Sequence, residues 1–233
     1  MKATVYLIPT VLAEGATQCL PAYLLDAAKS CSHLFVENER TARRFLKLLW
    51  KEAVIDAYVW HSIKEITPDV KNSFLKALQE NKTVGIISEA GCPGVADPGQ
   101  ELVQQAQEQN ALIKPLVGPN AILLALMGSG MNGQHFQFAG YLPIEPGERT
   151  KAIKNLEAES RTKGCTQIFI ETPYRNNQLL ETLLKTCQGQ TRICVAVDLT
   201  GATESIQTKT VQQWKASVPQ LHKRPAIFLL LAG

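Results

Sequence analysis

The segment Thr83–Gly99, TVGIISEAGCPGVADPG, limits the possible folds more than any other stretch of this chain. Val84, Ile86 and Ile87 read as a buried strand, and Gly85 leaves room for something to pack close. Gly91, Pro93, Gly94, Pro98 and Gly99 then rule out regular structure. Asp97 as N-cap, Pro98 at the first helical position and Gln100 completing a capping box predict a helix start. Strand, long irregular loop and helix start together predict an open α/β sheet. In such sheets ligands bind beyond the carboxyl ends of the strands.

The rest of the chain alternates in the same way. Apolar runs predict strands at Val5–Ile8, Leu34–Val36, Val54–Trp60 and Leu112–Val117. Helices are expected over Leu20–Ala28, after Thr41 with Phe45, Leu48 and Leu49 inward, and from Thr67 with Val70, Phe74, Leu75 and Leu78 as an apolar stripe. A helix opens at Gly118-Pro119-Asn120-Ala121 and ends near Gly128-Ser129-Gly130. Further strands are expected at Phe136–Tyr141, Thr166–Glu171, Arg192–Val197, Glu204–Thr210 and Pro225–Leu231. The predicted class is α/β in two domains: 1–117 with a parallel sheet, and 118–233 with a mixed sheet.

Composition narrows the function. The six cysteines show neither CxxC nor paired zinc spacing and read as reduced core residues of a cytoplasmic protein, with disulfides as the second reading. The four histidines are scattered, so no metal is expected. No signal peptide or membrane-length apolar stretch is found, and no membrane partner is expected. A net charge of +3 permits an anionic partner without arguing for one. The loop after the first strand, PTVLAEGATQ, lacks both GxGxxG and GK[ST], which counts against nicotinamide, flavin and nucleoside triphosphate chemistry.

Several residues stand where chemistry is plausible. Glu37-Asn38-Glu39-Arg40-Thr41 follows a strand and offers carboxylates beside an arginine; the alternative is a solvated loop with Thr41 capping the next helix. That helix carries Arg43, Arg44, Lys47 and Lys51 on its other side, either a solvated face or a phosphate contact. Arg149, Lys151 and Lys154 allow the same two readings. Arg175, after Glu171-Thr172-Pro173-Tyr174, suits an anion or an ion pair.

Taken in order, these segments resemble the tetrapyrrole-methylase-like (class III) family of S-adenosylmethionine-dependent methyltransferases. They are most similar to its branch of bacterial 16S ribosomal RNA ribose 2′-O-methyltransferases. Thr83–Gly99 resembles the family's SDAGTP…DPG loop, with Glu89 for its Asp and Cys92 for its Thr. Pro9-Thr10 keeps the start of PTPxGNLxD, and Glu37–Thr41 resembles AEDTR. Gly118–Ala121 resembles PGPSA, and Glu171–Arg175 the YES/P-x-R segment. Asp198-Leu199-Thr200 follows Val197 where the family usually has Arg-Glu-Leu-Thr.

The resemblance implies a cofactor cleft between two α/β domains, S-adenosyl-L-methionine as cofactor, and a homodimer. It implies cofactor contacts from Pro9, Thr10, Leu12, Glu89, Gly91, Cys92, Val95, Asn120, Ala121, Thr172, Leu199, Pro225 and Ala226. Glu37, Arg40, Glu171 and Arg175 are its catalytic candidates, with Asp97 as a further possible base. Methyl transfer from a sulfonium needs orientation of the acceptor rather than a metal or a covalent intermediate. The acceptor is expected to be a ribosomal RNA ribose hydroxyl, with rRNA or the ribosomal subunit as partner. The alternatives are a small molecule such as a tetrapyrrole, or cofactor binding without catalysis.

Overall fold

The computed structural model describes residues 2–233 and folds as two compact units, the first ending at Asn120 and the second running Ala121–Gly233. The first unit contains β1 (Thr4–Ile8), α1 (Leu24–Ser30), β2 (His33–Val36), α2 (Glu39–Leu49), β3 (Val59–Ser62), α3 (Pro68–Gln79), β4 (Thr83–Ile87), α4 (Gln100–Glu108) and β5 (Leu112–Pro115). Its five strands lie in the order β3-β2-β4-β1-β5, and every pairing is parallel.

Alternation along the strands supplies two cores. Val5, Phe35, Val84 and Ile86 pack with Phe74, Leu78, Leu102 and Ala106 from α3 and α4. Ile8, Leu34, Val36 and Ile87 pack with Leu24, Ala28, Phe45 and Leu46 from α1 and α2. A side chain at Gly85 would come within 2.7 Å of Leu34 Cδ2 and 3.0 Å of Ile8 Cδ1, which is why that strand position has none.

This arrangement sets the site. The neighbouring strands β1 and β4 send their following helices, α1 and α4, to opposite faces of the sheet. Loops that part in this way leave a crevice at the carboxyl ends of the two strands.

The second unit contains α5 (Ala121–Ser129), β6 (Phe136–Tyr141), α6 (Pro146–Lys163), β7 (Thr166–Ile170), α7 (Asn176–Thr186), β8 (Arg192–Val197), β9 (Ser205–Thr210), α8 (Val211–Ala216) and β10 (Ala226–Leu231). The order is β6-β7-β10-β8-β9, with β6 and β7 parallel and every other pairing antiparallel. All six residues of β10 are buried at the centre of this mixed sheet, and Phe169, Phe228, Leu179, Leu183 and Trp214 lead its core.

Several local expectations need correction. The helix expected from Leu20 begins at Leu24, because Pro21 holds Leu20 extended and the chain enters through a tight turn. Leu48 is 53% exposed, and Leu46 takes the buried position expected of it. The strand expected over Val54–Trp60 is confined to Val59–Ser62, because Ile55–Ala57 turns as a short 3₁₀ helix whose Ile55 carbonyl receives the Trp60 indole N–H at 3.0 Å. Residue 38, not Thr41, caps α2: Asn38 Oδ1 accepts from the N–H groups of Arg40 (3.0 Å) and Thr41 (3.3 Å). All six cysteines are free thiols, and burial pushes Cys31 and Cys187 up to about 12, so both stay protonated and inert.

Candidate active site

The crevice of the first unit is built mostly from backbone. β1 delivers Pro9 and Thr10, both buried. The Thr10 N–H donates to the Gly91 carbonyl at 2.9 Å, and its hydroxyl donates to the Ser88 carbonyl at 3.3 Å. Ser88 Oγ donates to the same Gly91 carbonyl at 2.7 Å, closing the turn after β4. Gly91 has φ +74, and a side chain there would meet Leu12 Cδ2 at 3.1 Å and the Pro119 carbonyl at 3.2 Å. Only glycine combines that conformation with that approach. Gly118 is tighter still, since its missing side chain would lie 2.3 Å from the ring of Pro9.

Cys92 joins this cluster, with Sγ directed to the Pro119 carbonyl at 3.5 Å and the Gly118 carbonyl at 3.7 Å. Burial raises its pKa, partly offset by a hydrogen bond with the Asn120 side chain. Pro9, Thr10, Leu12, Gly91, Cys92 and Asn120 therefore converge. Val95 is 44% exposed farther along the same loop, and Ala121 opens α5 in the second unit.

Three carboxylates edge the crevice. Glu37, just past β2, accepts the Glu89 N–H at Oε1 (2.7 Å). Burial raises its pKa; the Glu89 N–H opposes this, while the negative charges of Asp97 and Glu89 add to it. Glu89 accepts from Thr41 Oγ1 at 3.2 Å, tying the loop to the start of α2. Asp97 does not form the expected capping box, because α4 begins only at Gln100, capped by Gly99 without a side-chain bond. Instead its Oδ1 accepts from Gly94 N–H (2.8 Å) and Gly99 N–H (2.9 Å). Its Oδ2 is buried with no partner, and burial raises the pKa. Among the described residues no Lys or Arg lies within 4.0 Å of any of the three, and no group of three or more side chains could hold a metal. Arg40 is exposed on the first turn of α2.

In the second unit, candidates gather at one end of the mixed sheet, where β7 and β8 finish and β10 starts. The Asp198 N–H donates to the Pro225 carbonyl and the Lys223 N–H to the Pro173 carbonyl, each at 3.0 Å. These bonds place Thr172, Leu199, Pro225 and Ala226 on neighbouring connections. Glu171, its side chain 1% exposed, accepts Arg175 Nη2 at 2.7 Å. Burial pushes this carboxyl up, but the guanidinium and the Thr172 N–H outweigh burial and hold it below its usual value.

Sequence reasoning missed two features. Asp198 pairs with Arg224 at 2.6 Å; the signal was the charge pair at the two strand ends. Arg149, expected as an exposed phosphate contact, is 2% exposed, while Lys151 and Lys154 do face solvent. Helical periodicity distinguishes them, since Arg149 shares a face of α6 with the buried Ile153.

Comparison with known proteins agrees with this architecture. The family model "Tetrapyrrole (Corrin/Porphyrin) Methylases" matches residues 15–214. A protein of Escherichia coli O157:H7 named "Ribosomal RNA small subunit methyltransferase I" is 32% identical over 223 residues, covering 96% of this chain and 74% of that protein. One of the same name from Mesorhizobium japonicum is 30% identical over 212 residues, covering 91% and 69%. Among solved structures, the methyltransferase CobJ superposes with a TM-score of 0.63 at 18% identity, covering 100% of this chain and 94% of that one. The uroporphyrin-III-C-methyltransferase from Thermus thermophilus gives 0.56 at 14% identity, covering 99% and 94%. With a family match that takes in both units and a fold shared with two methyltransferases, this chain belongs to the tetrapyrrole (corrin/porphyrin) methylases and is a methyltransferase.

Proposed function

We propose that the chain transfers a methyl group from S-adenosyl-L-methionine to a ribose 2′-hydroxyl of small-subunit ribosomal RNA. The observation that carries this reading is a crevice shaped by glycine and proline backbone and edged by carboxylates that, among the described residues, no Lys or Arg pairs with. A positively charged methyl donor suits such a rim, and the buried, unpartnered Asp97 Oδ2 keeps an unused hydrogen-bond acceptor. The names of the curated relatives favour ribosomal RNA over a tetrapyrrole as acceptor.

Bound cofactor supplies an electrophilic methyl carbon on a cationic sulfur. Pro9, Thr10, Leu12, Gly91, Cys92 and Asn120 hold it in the first unit, with Glu89, Val95 and Ala121 beside them in sequence. Thr172, Leu199, Pro225 and Ala226 are the second unit's contributors. Fixing the acceptor in line with the methyl carbon supplies roughly 7–11 kcal/mol of the barrier. Glu37 holds Oε1 on the Glu89 N–H and takes the hydroxyl proton at Oε2. Arg40 meets a phosphate beside that hydroxyl. The Glu171–Arg175 pair positions the loop after β7 rather than moving a proton, because a carboxylate paired with a guanidinium and held below its usual pKa is a weak proton acceptor.

The active form is proposed to be a homodimer in the cytoplasm, where its acceptor lies. No helix among the described residues is long and apolar enough to cross a membrane. The test uses cofactor labelled in the methyl group and small ribosomal subunits from a strain lacking ribose methylation. Label in the RNA, at a nucleotide resistant to alkaline cleavage, is the expected result. Label on a small molecule alone, or no label, would refute the proposal.

A further inference from the structure

Beyond Arg40, the charged face of α2 has no assigned role. Arg40, Arg44 and Lys47 lie along it and Lys51 just past its end, each exposed. The spacings of four and three residues place Arg40, Arg44 and Lys47 within about 60° of arc on the helix, with steps of about 4.5–6 Å along the axis, and Lys51 follows the extended Trp50 that ends it. Among the described residues none of the four has a carboxylate within 4.0 Å, whereas Arg43, on the adjacent flank, pairs with Glu39 and approaches Asp56. Lys47 Nζ donates to the Lys51 carbonyl at 3.1 Å, tying the last two members of the row together. Beyond them Lys29 continues the positive charge, its Nζ 4.8 Å from the Trp50 ring centroid.

The near end of this track is fixed to the candidate site. Asn38 caps the helix one residue after Glu37, and Thr41 binds Glu89. The apolar face of α2 is not available to a lipid surface, because Ala42, Phe45 and Leu46 are already buried in the unit's own core. A row of like charges without partners suits a polyanion with regularly spaced charges.

We infer that α2 is a track for the RNA backbone, carrying successive phosphates from the Glu37 edge along Arg44, Lys47 and Lys51. This rests on the proposed RNA reading and adds where the strand runs.

The test compares the wild-type chain with the Arg44→Gln/Lys47→Gln/Lys51→Gln variant, which leaves Arg40 and the crevice intact. Binding of a fluorescein-labelled single-stranded RNA is measured across salt concentrations. Three lost phosphate contacts lower the slope of log K against log salt by about 2. Methylation of small ribosomal subunits should show a KM raised tenfold or more with kcat unchanged, and the melting temperature should stay the same. An unchanged slope and KM, while the wild type still methylates the subunits, would overturn the track and leave the RNA reading standing. No RNA binding and no methylation by the wild type would bring down both. Vesicles containing phosphatidylserine form the control arm: a loss of vesicle binding with RNA binding intact would also overturn the inference.

Discussion

Glu37 Oε1 accepts the backbone N–H of Glu89 at 2.7 Å, joining the edge after β2 to the loop after β4. One carboxylate oxygen thus sets the shape of the site while the other remains for chemistry. Because burial and like charge raise its pKa, Glu37, the proposed general base, is protonated to a higher pH than an ordinary glutamate. The turnover rate should therefore rise with pH through a value above the usual carboxylate range. Glu37→Gln should lower kcat by about 10²–10⁴-fold and weaken cofactor binding far less, since two rim carboxylates remain. The raised pKa also means that ionised Glu37 costs the fold stability above that pKa. The glutamine variant should melt at the same or a higher temperature at neutral pH.

The pair between Glu171 and Arg175 predicts the opposite pH behaviour. A carboxyl held below its unfolded value stabilises the fold above the unfolded pKa, and that contribution is lost as the pH falls through the lowered folded value. Arg175→Ala leaves an uncompensated charge on a side chain that is 1% exposed. It should cost about 3 kcal/mol in urea unfolding at neutral pH. The gap from wild type should shrink as the carboxyl is protonated. A constant gap down to low pH would show that the ion pair is not its source.

Gly118 offers a purely steric test. An alanine there puts a methyl 2.3 Å from the Pro9 ring, which is rigid and buried. Gly118→Ala should destabilise by about 1–3 kcal/mol and weaken cofactor binding by about tenfold or more, roughly 1.4 kcal/mol. Unfolding and calorimetry on the same preparation separate the two effects.

Asn38 controls the start of α2. Asn38→Ala should cost about 1 kcal/mol, while Asn38→Asp should retain the cap. Thermal unfolding of the two variants is the readout, and equal loss in both would contradict the capping assignment.

Much of this architecture could be read from the chain. The apolar runs around Val84 and Leu229 marked strands, and the glycine and proline loops between them fixed where connections had to be irregular. Long-range competition was not legible. Asn38 and Thr41 are both good caps, and only the three-dimensional path, with Thr41 Oγ1 drawn to Glu89, decides between them. Asp97 looked like a helix cap, yet its carboxylate closes the loop on Gly94 instead. Arg175 suited an anion or an ion pair, and only the path after β7 decides for the pair, by bringing the guanidinium back onto Glu171. Arg149 looked exposed because charge outweighed helical phase in the reading.

The proposed methyl transfer requires the crevice after β1 and β4 to accept a positively charged sulfur donor. Isothermal titration calorimetry with S-adenosylmethionine tests it most directly. The prediction is saturable binding at one site per chain, weakened strongly by Gly118→Ala and only modestly by Glu37→Gln, which removes one of three rim charges. No heat and no thermal shift at saturating cofactor, or binding indifferent to Gly118→Ala, would contradict it.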